Sequence, residues 1–73
     1  MKLVVYAPGV PMFKGDRSVK AIACAKLPKG VGVAQSDQDE VTFFGSNITE
    51  DHCAQASVAL VAIGATSVSI VKD

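Results

Sequence analysis

The sequence predicts one α+β domain with the element order β-α-β-β-α-β, giving a four-stranded antiparallel sheet with two helices on one face. Three observations predict it. Lys2–Ala7 is a β-branched and aromatic run stopped by Pro8-Gly9. Residues 49–63 form an apolar helical segment with cap residues before it and Gly64 after it. Thr66–Val71 alternates hydroxyl with aliphatic side chains. Seventy-three residues leave room for a single domain.

In the first strand Leu3 and Val5 point to one side, and Val4 and Tyr6 to the other. Both sets are apolar, which predicts a central strand. Pro8–Gly15 is a loop, by its two prolines and two glycines, and Val10, Met12 and Phe13 are expected on its surface as protein-contacting side chains. Asp16 is the expected N-cap of a helix over Arg17–Leu27, with Val19, Ile22, Ala23 and Leu27 on its apolar face. Residues 19–27 also fit a period of two. The alternative fold is therefore an N-terminal β-meander followed by one helix at about 49–63 and a final strand.

Val31–Gln35 and Val41–Phe44 read as strands of a hairpin joined by the polar turn Ser36–Glu40. Val41 and Phe43 share one side, Thr42 and Phe44 the other. The second helix has Asn47 and Thr49 as rival caps, and Glu50 and Asp51 in its first turn, where the helix dipole favours acids. From Cys53 onward only Gln55 and Ser57 are polar, so this helix is expected to be buried on more than one side. The last strand puts Val68 and Ile70 inward and Ser67 and Ser69 outward, as at a sheet edge. This order is the split βαβ, or ferredoxin-like, arrangement, with the first and third strands in the middle.

Composition narrows the function. The chain is 49% hydrophobic with a mean hydropathy of +0.35, apolar for so small a body, and part of that surface is expected at an interface. The first apolar run ends at Pro8, short of a secretory h-region, no stretch approaches a membrane span, and two unlike cysteines make no disulfide framework. A cytoplasmic location without membrane association is the expectation. Net charge is zero, yet residues 1–30 carry six basic residues against Asp16 alone, and residues 31–73 carry six acids against Lys72 alone. That split predicts either two solvated faces or a dipolar body that docks one side on the other. Zero net charge counts against nucleic acid as a partner.

Candidate chemistry has a structural explanation in each case. Cys24, Cys53 and His52 are too few for zinc, and adjacent positions on a helix point about 100° apart, so His52-Cys53 makes no nucleophilic pair. Gly9–Asp16 departs from the phosphate-binding pattern, with Lys14 before the second glycine and an acid where a hydroxyl belongs. Asn47-Ile48-Thr49 matches a glycosylation sequon and is explained by capping. No catalytic residue, cofactor or metal is expected.

The uncovered sheet face remains. Val4, Tyr6, Thr42 and Phe44 are expected there, and with Met12 and Phe13 they form the candidate interface. RNA-recognition domains stack bases at such positions, but Val41-Thr42-Phe43-Phe44 lacks the glycines and basic residue of their consensus. Pro8-Gly9 in the first strand–helix loop loosely resembles the amino-acid-sensing ACT domains; that resemblance implies a ligand-sensing regulatory domain but transfers no site residue. The leading expectation is a non-enzymatic protein-binding or regulatory module. It would self-associate through sheet faces as a homodimer, or dock on a partner protein, as a phage or mobile-element inhibitor of a host protein would.

Overall fold

The computed structural model describes residues 1–72. Its elements are β1 (Lys2–Tyr6), α1 (Val19–Lys26), β2 (Gly32–Asp37), β3 (Glu40–Phe44), α2 (Glu50–Ala62) and β4 (Ser67–Val71). The strands form one antiparallel sheet in the order β2-β3-β1-β4, which is the ferredoxin-like arrangement. Residues 19–26 are helical, so the β-meander alternative does not hold. Val19 and Ala23, one turn apart, are fully buried while Ala21 and Ala25 face solvent, a pattern of period 3.6 rather than two.

The core lies between the helices and one face of the sheet. Leu3, Val5, Val41 and Phe43 come from β1 and β3, Val19 and Ala23 from α1, and Cys53, Ala56 and Leu60 from α2. Leu27, Ile48, Ala7 and Ala65 close its ends.

Asp16 does not cap α1. The cap is Ser18, buried, whose Oγ accepts from the Ala21 N–H at 3.1 Å. The loop before it folds back on the helix start. The Pro11 and Met12 carbonyls accept the N–H groups of Val19 and Lys20, each at 2.9 Å, and so satisfy donors left over at the helix end. That path draws Val10 and Met12 against the core, so neither is the exposed contact expected, and only Phe13 of that trio remains exposed.

Thr49, not Asn47, caps α2. Its Oγ1 accepts from the His52 N–H at 3.2 Å, and its own N–H donates to His52 Nδ1 at 3.1 Å, a reciprocal capping box. The helix ends in a Schellman motif, with Gly64 at φ 108°, Gly64 N–H donating to Val61 O and Ala65 N–H to Leu60 O. β2 runs on to Asp37 with a bulge between Gln35 and Asp37, which shortens the turn to Gln38-Asp39.

Two expectations about burial fail. α2 is not buried all round, because Val58 and Val61 are 74% and 58% exposed and Ala54 and Ala62 also face solvent. Ile70 lies on the helix side of β4 but stays 43% exposed, since no element covers the outer half of that edge strand.

Candidate functional site

The pleat decides what the open face carries. The registers place Leu3 opposite Phe43 and Ile70, and Val5 opposite Val41 and Val68, all on the covered side. The open face then has three transverse rows. Gly32, Phe44, Lys2 and Val71 form the first; Ala34, Thr42, Val4 and Ser69 the second; and Asp37, Glu40, Tyr6 and Ser67 the third. The structure thus brings together Val4, Tyr6, Thr42 and Phe44 as expected, on β1 and β3 in the centre of the sheet. It does not bring Met12 or Phe13 to them, since the β1–α1 loop folds toward the start of α1.

The face is less greasy than the sequence implied. Val4 and Thr42 are half-buried by their neighbours, while Tyr6, Phe44 and Val71 are 40%, 43% and 44% exposed. The Phe44 ring lies across Gly32 on the neighbouring edge strand, so close that a methyl group at Gly32 would overlap it. An aromatic laid over an edge glycine covers backbone that the missing side chain leaves bare. This pairing escaped the sequence reading because it depends on register, and Gly32 next to a strand gave the only signal. Among the described residues of the face, Lys2 is the one cation, and the acids Asp37 and Glu40 lie at the opposite end of the sheet. Glu40 also accepts from Ser36 Oγ at 2.8 Å.

The charge split along the chain does not become a split in space. β1 leads into the basic loop at the same end of the sheet as the acidic β2–β3 turn, where the Ala7 N–H donates to Asp39 O. At the other end Lys72 pairs with Glu50 at 2.6 Å. Both signs occur at each end, which favours the solvated faces over the dipolar body of the two readings.

Side chains able to do chemistry are occupied structurally. Cys53 is buried, and burial pushes its thiol above the ordinary range, against the lowering that a helix N-terminus alone would give. His52 Nδ1 accepts in the cap, Asp51 accepts from Gln55 at 2.9 Å, and Asp37 accepts from the Gln38 N–H at 2.7 Å. Cys24 is exposed, on α1. Among the described residues no three His, Cys, Asp or Glu side chains converge, and no helix is long and apolar enough to cross a membrane.

A hollow of about 420 Å³ opens between the β1–α1 loop and the end of α2, lined by Gly9, Val10, Pro11, Arg17, Ala62 and Ile63. No family model matches the chain, and no curated protein or solved structure matches it either.

Proposed function

We propose that the chain is a non-enzymatic protein-interaction module that presents the open face of its sheet to a partner protein. One observation carries this reading. The face is uncovered across all four strands, with Tyr6, Phe44 and Val71 standing exposed around a half-buried centre of Val4 and Thr42. Aromatic side chains at the rim of a flat apolar patch suit a protein surface, whereas small molecules are held in concave sites. A single cation on the face, Lys2 against Asp37 and Glu40, offers a phosphate backbone little. Four strands about 4.8 Å apart and five residues of about 3.4 Å rise give roughly 300 Å² in plan, so one copy alone makes a weak contact.

The test is capture from the native host by the wild type, by Tyr6→Lys with Phe44→Lys, and by Val58→Lys on the helix side. A partner retained by wild type and Val58→Lys and lost with the face variant supports the reading. Equal capture by all three defeats it.

The hollow beside Gly9 favours a second reading, a sensor of a small anionic ligand. It is apolar but for the Arg17 guanidinium, which is suited to a carboxylate. A ligand of that kind raises the melting temperature of wild type and not of Arg17→Ala. A metabolite panel that shifts neither protein removes this reading.

A further inference from the structure

The two edges of the sheet are built differently. β2 is blunted as edge strands usually are, with a bulge, a covered glycine and a charged end at Asp37. β4 has none of these devices. It is Ser-Val-Ser-Ile-Val, five residues with no charge, proline or bulge, and one side of its backbone faces no other strand. A regular, apolar, unprotected edge is a template for another strand.

A shelf of apolar side chains runs beside it. Glu50, Ala54, Ser57 and Val61 follow at spacings of four, three and four and so share one side of α2. Glu50, at the head of that stripe, pairs with Lys72 just past the end of β4, which sets the stripe on the β4 side. Gln55, Ala59 and Ala62 instead line a hollow with Lys26 of α1. The flank therefore carries the exposed Ala54 level with the exposed Ile70, and the exposed Val61 further along, toward half-buried Val68. Of the exposed apolar residues of α2, Ala54 and Val61 are on this flank with Ile70, and Val58 and Ala62 are on the α1 side.

We infer that β4 pairs antiparallel with β4 of a second copy about a two-fold axis at Ser69, joining two sheets into one of eight strands. The strand is self-complementary in that register. Ser69 faces Ser69 of the partner copy, Val68 faces Ile70 on the helix side, and Ser67 faces Val71 on the open side. One pairing covers the Ile70 of both copies. It completes about four to six backbone hydrogen bonds. Charge does not oppose it. From Cys53 to Val71 there is no charged side chain, Lys72 and Glu50 already neutralise each other, and the net charge is zero. The seam is about 17 Å long and buries less than the roughly 800 Å² per partner of a standard interface. The dimer is accordingly a weak one, populated at high micromolar concentration. It leaves the open face free and doubles it, so the pairing stands whether or not that face binds a partner protein.

The experiment uses the full chain. Light scattering across 10 µM to 1 mM, in a range set by the small seam, shows the mass rise from 7.5 kDa toward twice that value. Ile70→Lys weakens association at least about tenfold by placing an unpaired charge in the seam, with circular dichroism unchanged. Tyr6→Lys leaves association as it was. In a Cys24→Ser background, Ser69→Cys oxidises to a disulfide-linked dimer. Ser67→Cys does not, because its symmetry mate is about 14 Å away and a disulfide spans about 7 Å at most. A chain that stays at 7.5 kDa to 1 mM overturns the pairing. So does loss of the dimer in Tyr6→Lys but not Ile70→Lys, which identifies a face-to-face dimer. Equal cross-linking of Ser67→Cys and Ser69→Cys overturns the register. Loss of partner capture in the face variant, with the dimer intact, bears on the open-face reading alone.

Discussion

On β1 and β3 the covered and open faces alternate residue by residue. Leu3, Val5, Val41 and Phe43 are fully buried, whereas Val4 and Thr42 are half-buried and Tyr6 and Phe44 are exposed. The same two strands thus supply both the centre of the core and the centre of the candidate interface. Because the pleat sends neighbours to opposite sides, the two jobs share a backbone and hardly share an environment. Stability is concentrated on one side, which leaves the other free to be shaped by a partner.

The sharpest way to break that division is to compare adjacent phenylalanines. Phe43→Ala empties a fully buried site and costs about 3–5 kcal/mol. A chain of this length has about 4–11 kcal/mol in all, so the variant loses between roughly a quarter of its stability and all of it. Phe44→Ala removes an aromatic cross-strand contact and costs about 0.2–1 kcal/mol. Urea unfolding midpoints of the two variants measure the difference. Costs within about 1 kcal/mol of each other, against the gap expected from cavity formation, mean that the open face is not free of the core.

How much of this was readable beforehand follows from the period of each pattern. Period two places Val4, Tyr6, Thr42 and Phe44 on one face, and the long apolar run with Gly64 places α2. Those features are local, and the fold agreed with them. What failed was not local. Asp16 and Ser18 are equally good caps on paper, and the choice rests on where the Pro11 and Met12 carbonyls return to the helix. That same return packs Met12, half-buried, against the core and not on the open face. Alternation assigns Ile70 to the helix side correctly but says nothing about how far the helices reach, and they stop short of it. The burial expected of α2 assumed a neighbour on every apolar side, and a domain with two helices has too few.

A smaller effect sharpens the comparison within the open face itself. Gly32 and Phe44 are coupled, since an added Cβ at Gly32 overlaps the ring. Gly32→Ala in the wild type pushes the ring off the strand and destabilises by about 0.5–1 kcal/mol, within the range of contacting pairs. In a Phe44→Ala background the obstruction is gone. There Gly32→Ala stabilises by about 0.5 kcal/mol, because alanine loses less backbone entropy than glycine in a strand. The sign reversal is read from a double-mutant cycle of unfolding free energies. A substitution with the same sign in both backgrounds means that the ring does not rest on the glycine.

The smallest expected effect lies at the margin of the covered side, where Lys72 after β4 meets Glu50 of α2. Both groups are exposed, so screening by solvent keeps the contribution slight. The hydrogen bond and charge of Lys72 hold the Glu50 carboxyl below its ordinary range, and the same bond from Glu50 raises the Lys72 ammonium above its own. For Glu50 the stabilisation is complete above the ordinary carboxylate value and is lost as pH falls through the lowered one. For Lys72 it is complete below the ordinary lysine value and is lost as pH rises through the raised one. The pair therefore acts across the neutral range and fades at both extremes. In Glu50→Gln both pH-dependent losses disappear, and the remaining difference from wild type at pH 7 shrinks as salt is added. Thermal unfolding of the two proteins at acid, neutral and alkaline pH, in low and high salt, measures this. A difference that grows in salt means that the charges were not what held β4 to the helix.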